Sequence, residues 1–155
     1  MTVFLSRTDS TNKDFIDLVE ELDADLAIRD GEDHAFYDQF NKIHMIKHVV
    51  VLYADGIAIA CGAFKPYDEN VVEIKRMFCK PEWRGNRFAV AILNELEKWA
   101  AELSYHSAIL ETGIKQHEAI RLYERYGYHR IENYGQYAGV ITSICMEREL
   151  IEGYE

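Results

Sequence analysis

The sequence predicts an α+β or mixed α/β domain with a largely antiparallel N-terminal half. Three observations support this. Hydrophobic periodicity switches between helical and strand-like spacing along the chain. Asp55-Gly56 joins two strand-like runs as a tight hairpin. Two later apolar runs each lead through a short loop into an amphipathic helix. With 155 residues, 48% of them hydrophobic, the chain suits a single domain over 1–155 with a full core.

Taken in order, Val3 to Ser6 is a short strand candidate. Thr11 and Asp14 resemble a capping box, and Phe15, Leu18, Val19, Leu22 and Leu26 then recur at helical spacing until Asp30-Gly31. A second helix follows, with Phe36, Phe40 and Ile43 on one side. His48 to Ala54 and Ile57 to Phe64 are the hairpin strands, and Val71 to Cys79 is another strand. Pro81 ends it because proline lacks a ladder donor. Phe88 to Leu103 is an amphipathic helix with Ala89, Ile92, Leu93, Leu96, Trp99, Ala100 and Leu103 on one face. Ser107 to Thr112 is a strand, and His117 to Tyr126 a helix stopped by Gly127. Tyr128 to Glu132 and Val140 to Met146 are the last strands. Between them lies a glycine- and tyrosine-rich loop, Asn133 to Gly139, that either lines a pocket or packs its tyrosines on the sheet.

Composition narrows the function classes. A formal net charge of −10 argues against nucleic-acid binding through a basic surface. It is compatible with attraction of small cationic molecules and equally with plain solubility. No apolar run approaches the ~20 residues that span a bilayer, and Met1 to Ser10 lacks a signal-peptide pattern, so the expected location is cytoplasmic. Cys61, Cys79 and Cys145 lie in apolar segments outside any C-x-x-C pair and are expected as buried, reduced thiols. His44 and His48 have i, i+4 spacing but lack an evident third ligand, so no metal site is expected.

The most informative segment is Arg84-Gly85-Asn86-Arg87-Phe88-Ala89, where a strand passes into a long helix. A helix N-terminus exposes unpaired N–H groups and the positive end of its dipole. Small residues let the backbone approach a phosphate, and arginines add cationic donors. The loop alone fits an anion site and an ordinary surface turn equally well. It carries neither the P-loop nor the dinucleotide-binding pattern.

The wider stretch from Glu73 to Ala89, followed by an amphipathic helix, resembles the cofactor-binding motif of the GNAT superfamily of N-acetyltransferases. That motif reads Gln/Arg-x-x-Gly-x-Gly/Ala. A second block, Gln116-x-x-Ala119-Ile-x-Leu-Tyr123-Glu-x-x-Gly127-Tyr128, resembles the family's Asn-x-x-Ala-x-x-x-Tyr helix and its exit. Two departures stand out. Arg87 occupies the family's central glycine position, where a positive φ would cost roughly 1 kcal/mol. Gln116 stands where the family has Asn.

The resemblance implies the GNAT fold: a mixed, mostly antiparallel sheet of about seven strands flanked by helices. It would be splayed between the strands at 71–79 and 107–112, with acetyl-CoA entering the splay. The implied cofactor-binding residues are Met77, Phe78 and Cys79 through their backbone, Arg84, Gly85, Asn86, Arg87, Phe88, Ala89 and Val90 around the pyrophosphate, and Gln116 on the pantetheine arm. Tyr123 would protonate the departing thiolate, and an N–H near the Met77 to Cys79 stretch would polarise the thioester. Glu73 and Glu111 are the two candidates for deprotonating the amine.

On residue type alone, Tyr123 fits core packing as well, and Glu73 with Lys75 fits a solvated surface row. The implied reaction is direct acetyl transfer to a primary amine of a small molecule or amino-acid-like acceptor, with Phe36, Tyr37 and Phe40 bordering the acceptor. The expected partners are therefore a small-molecule amine and no metal, nucleic acid or membrane, with a homodimer admitted. The rival reading is a non-catalytic acyl-CoA-binding or regulatory module of the same fold.

Overall fold

The computed structural model describes residues 1–31 and 45–151. The expected second helix, with Phe36, Tyr37, Phe40 and Ile43, lies outside the described residues, as does His44. The described elements are β1 (Val3–Thr8), α1 (Lys13–Asp30), β2 (His48–Ala54), β3 (Ile57–Pro66), β4 (Val71–Cys79), α2 (Phe88–Glu102), β5 (Ser107–Gly113), α3 (His117–Tyr126), β6 (His129–Ile131) and β7 (Ser143–Glu149). The strands form a seven-stranded sheet in the order β1-β2-β3-β4-β5-β7-β6. Among the described residues only the β4–β5 pair is parallel; its crossover runs through α2.

Local chemistry explains most of the elements. Asp55 and Gly56 both take positive φ, 50° and 83°, as a type I′ hairpin turn requires. β2 reads as a continuous apolar run because both faces of the sheet are covered. Its Val50, Leu52 and Ala54 join the core beneath α2, while Val49 and Val51 join the core beneath α1. The cap of α1 is Asn12, whose side chain accepts from the Phe15 N–H at 3.0 Å. Thr11 is not the cap. Its hydroxyl and N–H both turn back to Asp9, which removes it from the helix start.

Several expected boundaries shift, chiefly around the last two strands. β7 begins at Ser143 rather than Val140, because Val140 and Ser143 spend their N–H groups on turn bonds to the carbonyls of Tyr137 and Val140. The expected loop contains a short 3-10 turn at Gly135–Tyr137. Helix α3 ends as expected at Gly127, with φ 119°. The Tyr128 N–H bonds the Tyr123 carbonyl at 2.9 Å and the Gly127 N–H bonds that of Glu124 at 3.2 Å, closing a Schellman motif. Tyr128 therefore belongs to the cap, and its ring meets Tyr123 edge-on at 5.9 Å.

The apolar face of α2 holds one residue its pattern did not predict. Glu97 is fully buried among Ile92, Leu93, Leu96 and Ala100. It accepts the Tyr128 hydroxyl at 2.8 Å and pairs with the Arg148 guanidinium, so α2, the exit of α3 and β7 share one polar bond network. Leu103, expected on the same face, is instead 46% exposed beyond the helix end. Removing one partner of a buried ion pair leaves the other charge uncompensated. Glu97→Ala should therefore lower unfolding free energy by about 3 kcal/mol, read as a lower denaturant midpoint with an unchanged m-value.

Candidate active site

β4 and β5 stay together for only three residue pairs, Val71–Ser107, Val72–Ala108 and Glu73–Ile109. Beyond that they part, and β7 continues the sheet on the far side of β5 as far as Gly113. The gap opens a cleft of about 1000 Å³. Its walls are β4 from Ile74 to Cys79 and β5 from Leu110 to Gly113. Leu22, Asp25 and Leu26 of α1 close one side, and the inner face of α3 closes the other. The size suits an extended ligand rather than a single small metabolite.

One end of the cleft is the loop into α2. Arg87, the residue before the helix, sits in the left-handed region at φ 63°, ψ 23°. The position thus makes the demand that a glycine would meet without strain. Gly85 also has positive φ, 86°, and a Cβ there would meet nothing within 4 Å. Arg84, Gly85, Arg87, Phe88, Ala89 and Val90 all line the cleft. Asn86 does not. Its side-chain amide donates to the Trp83 carbonyl at 2.9 Å and braces the loop from outside. Arg84 is held in place: its Nε donates to the Cys79 carbonyl at 2.9 Å, and Nη2 lies 3.9 Å from Asp25.

The middle of the cleft is shaped by an irregularity in β4. Cys61 faces Phe78 and Ala63 faces Lys75, so Gly62 alone stands opposite both Arg76 and Met77. This is a β-bulge, with Arg76 at φ 58°. Gly62 permits it: a Cβ there would fall 2.5 Å from Met77 Sδ and 2.6 Å from Ile92 Cγ2. Met77 at the bulge, with Phe78 and Cys79 just past it, lines the cleft on the edge that β5 has left. Gln116 is buried at the N-cap of α3 and also lines it.

Tyr123 faces the same cleft from α3 and is only 7% exposed. Burial and the nearby Glu111 charge push its phenol above the ordinary value, so it stays protonated throughout the neutral range. The two carboxylates occupy different environments. Glu111 lines the cleft and accepts the Ser143 hydroxyl at 2.7 Å. Glu73 is 3% exposed, outside the cleft lining, and accepts the Tyr134 hydroxyl at 2.6 Å, with Lys65 Nζ 3.8 Å away. The Glu73–Lys75 row is therefore not a solvated surface.

Lys75 lines the cleft, and burial lowers its pKa against the raising influence of Glu73 and Glu111. The tyrosines of the 133–139 loop pack on the sheet: Tyr137 is 2% exposed, and Tyr134 stacks edge-on with both Tyr67 and Tyr137. His48 lies against Phe64 and Trp99. All three cysteines are buried free thiols, as their surroundings implied.

Sequence reasoning missed Lys75, Arg76, Leu22, Asp25 and Leu26 as cleft residues. The two leucines were legible only as core. The basic pair gave no local sign of the bulge.

Such a fold and cleft are those of an acyltransferase. Residues 15–128 match the sequence profile of the acetyltransferase (GNAT) family. The chain belongs to that family and is an N-acetyltransferase. Among its relatives, the IAA acetyltransferase of Azospirillum brasilense is 28% identical over 150 residues, covering 96% of this chain and 98% of that one. A Klebsiella pneumoniae protein assigned as an acyl-CoA N-acyltransferase superposes with a TM-score of 0.81 at 28% identity, over 97% of this chain and 99% of its own. An Elizabethkingia anophelis GNAT acetyltransferase, solved with acetyl-CoA bound, shares the fold at a TM-score of 0.67 and 16% identity, over 96% and 98% of the two chains.

The left-handed Arg87 gives a separable prediction. Arg87→Gly should raise thermal stability modestly, by up to about 1 kcal/mol of relieved backbone strain. It should also weaken coenzyme A binding roughly tenfold at low salt, with the difference shrinking as salt rises. Thermal melts and calorimetric titrations at two ionic strengths would read both effects.

Proposed function

We propose that the protein moves an acetyl group from acetyl-CoA to the primary amine of a small molecule, directly and through a tetrahedral intermediate. One observation carries this reading. The gap between β4 and β5 runs from a cationic helix N-terminus to a buried, protonated tyrosine. The acetyl-CoA held by the Elizabethkingia anophelis enzyme supports the choice of donor. The small-molecule activity in the name of the Azospirillum brasilense relative supports the class of acceptor.

In this reading the N–H groups from Gly85 to Val90, with Arg84 and Arg87, hold the pyrophosphate. Met77, Phe78 and Cys79 offer backbone groups to the pantetheine arm where β5 has withdrawn, and Gln116 contacts it from the opposite wall. The Met77 N–H, turned by the bulge, polarises the thioester carbonyl and stabilises the oxyanion.

The acceptor nitrogen forms the new C–N bond. Glu111 or Glu73 takes its proton, directly or through water. Glu111 already faces the cleft, whereas Glu73 lies outside its lining, bonded to Tyr134, and would act only through water. As the C–S bond breaks, Tyr123 gives its proton to sulfur. The phenol carries its proton at neutral pH, and the thiolate, leaving into a desolvated cleft, takes that proton as the C–S bond breaks.

Calorimetry with acetyl-CoA tests the donor: saturable binding at micromolar concentrations is expected, and none at high micromolar cofactor sinks the reading. A thiol-release assay over a panel of small amines tests the reaction. Tyr123→Phe should lower kcat by roughly 100-fold, the usual scale for a general acid, while leaving cofactor affinity within a factor of about two. Unchanged kcat would remove Tyr123 from the acid role.

A further inference from the structure

The bulge in β4 calls for an explanation, because its turning residue is an arginine in a conformation that costs L-residues about 1 kcal/mol. Arg76 does not take up that conformation with its side chain in water. The side chain is 2% exposed. It crosses beneath α1, and Nη2 donates to Asp23 Oδ1 at 2.5 Å. Among the described residues, Asp23 is the carboxylate within ion-pair distance of this guanidinium.

The backbone of Arg76 is held as well, since its carbonyl accepts the Cys61 thiol at 3.5 Å. Asp23 lies in the same stretch of α1 as Leu22, Asp25 and Leu26, which line the cleft. Two longer pairs run alongside, Lys80 to Glu21 and Arg84 to Asp25, both at 3.9 Å. The acidic side of α1 therefore grips β4 and the phosphate loop together. A buried charge with one strong partner has a narrow choice of positions, because leaving the carboxylate would strand it without compensation.

Building on the proposed acetyl transfer, we infer that Arg76, pinned by Asp23 of α1, is a positioning residue that holds the β4 bulge in register and so aims the Met77 N–H at the thioester carbonyl. The Arg76 guanidinium is engaged by Asp23, so the residue acts on the thioester through its backbone. Small errors in such a donor are costly, since displacing an oxyanion contact by about 1 Å can lower the rate by roughly 100-fold.

The test compares the wild-type protein with Asp23→Ala, Asp23→Glu and the double variant Asp23→Leu/Arg76→Leu. Each is assayed for kcat, acetyl-CoA KM, melting temperature and the carbonyl stretch of bound [1-13C]acetyl-CoA. Asp23→Ala is expected to lose about 10- to 100-fold in kcat, with KM for acetyl-CoA within about twofold. Its carbonyl stretch should move toward the free value, and Asp23→Glu should recover part of both. The double variant removes the charge pair as a whole and so guards against mere unfolding. It should melt near the wild type yet keep the low kcat and the shifted stretch.

Wild-type kcat and stretch in a folded double variant would overturn the inference, as would a kcat loss that only tracks KM or melting temperature. If the wild type itself fails to bind or turn over acetyl-CoA, the acetyl-transfer reading falls first and the inference falls with it.

Discussion

The separation of β4 from β5 after three residue pairs is the constraint on which the rest of the molecule depends. A parallel pair cannot be joined by a hairpin, so the chain must leave β4, cross over as α2 and return as β5. That crossover places a helix N-terminus at the far end of the gap between the two strands. β7 satisfies the other edge of β5, so β5 can diverge from β4 while its outer ladder stays paired. A sheet that would otherwise close is thereby held open by its own hydrogen bonding, and the opening is lined with backbone groups as well as side chains.

Around that opening, packing and charge are arranged to keep it fixed. Gly62 provides the room for the bulge, Arg76 turns it, and α1 covers the buried guanidinium. On the opposite face, Glu97 ties α2 to Tyr128 and Arg148, so the helix that would carry the phosphates is anchored to the exit of the helix that carries Tyr123. Both ends of the proposed donor site are thus connected through one buried carboxylate. The cores on the two sheet faces would hold the elements together without it, but they do not specify the relative rotation of α2 and α3 in the way directional bonds do.

Much of this was legible along the chain. The bounds of β2, β4 and α3 follow from apolar runs closed by Asp55-Gly56, Pro81 and Gly127, each of which acts on the backbone of its immediate neighbours. The loop Arg84 to Ala89 read alone fitted an anion site and a surface turn equally, and only the family resemblance, with glycine at the place of Arg87, pointed to the positive φ found there. Asn86 was not separable from its neighbours, because whether a loop side chain faces the ligand or the loop's own carbonyls depends on where Trp83 lies. Glu97 was hidden by periodicity: it falls on the buried stripe of α2, and its partners come from residues 31 and 51 positions later.

What the sequence determined by itself was local: the helix start with its two arginines, the cap at Gly127 and the tyrosine one turn before that cap. These depend on backbone sterics and hydrogen bonds within a few residues. Tertiary structure alone decided which carboxylate faces the cleft, that Lys75 is half-buried in the cleft wall and Arg76 fully buried, and that α1 grips the strand whose bulge shapes the site. Those outcomes rest on strand register and on pairs some 50 residues apart, such as Asp23 with Arg76. A one-residue shift in either strand would send the same side chains to the opposite face.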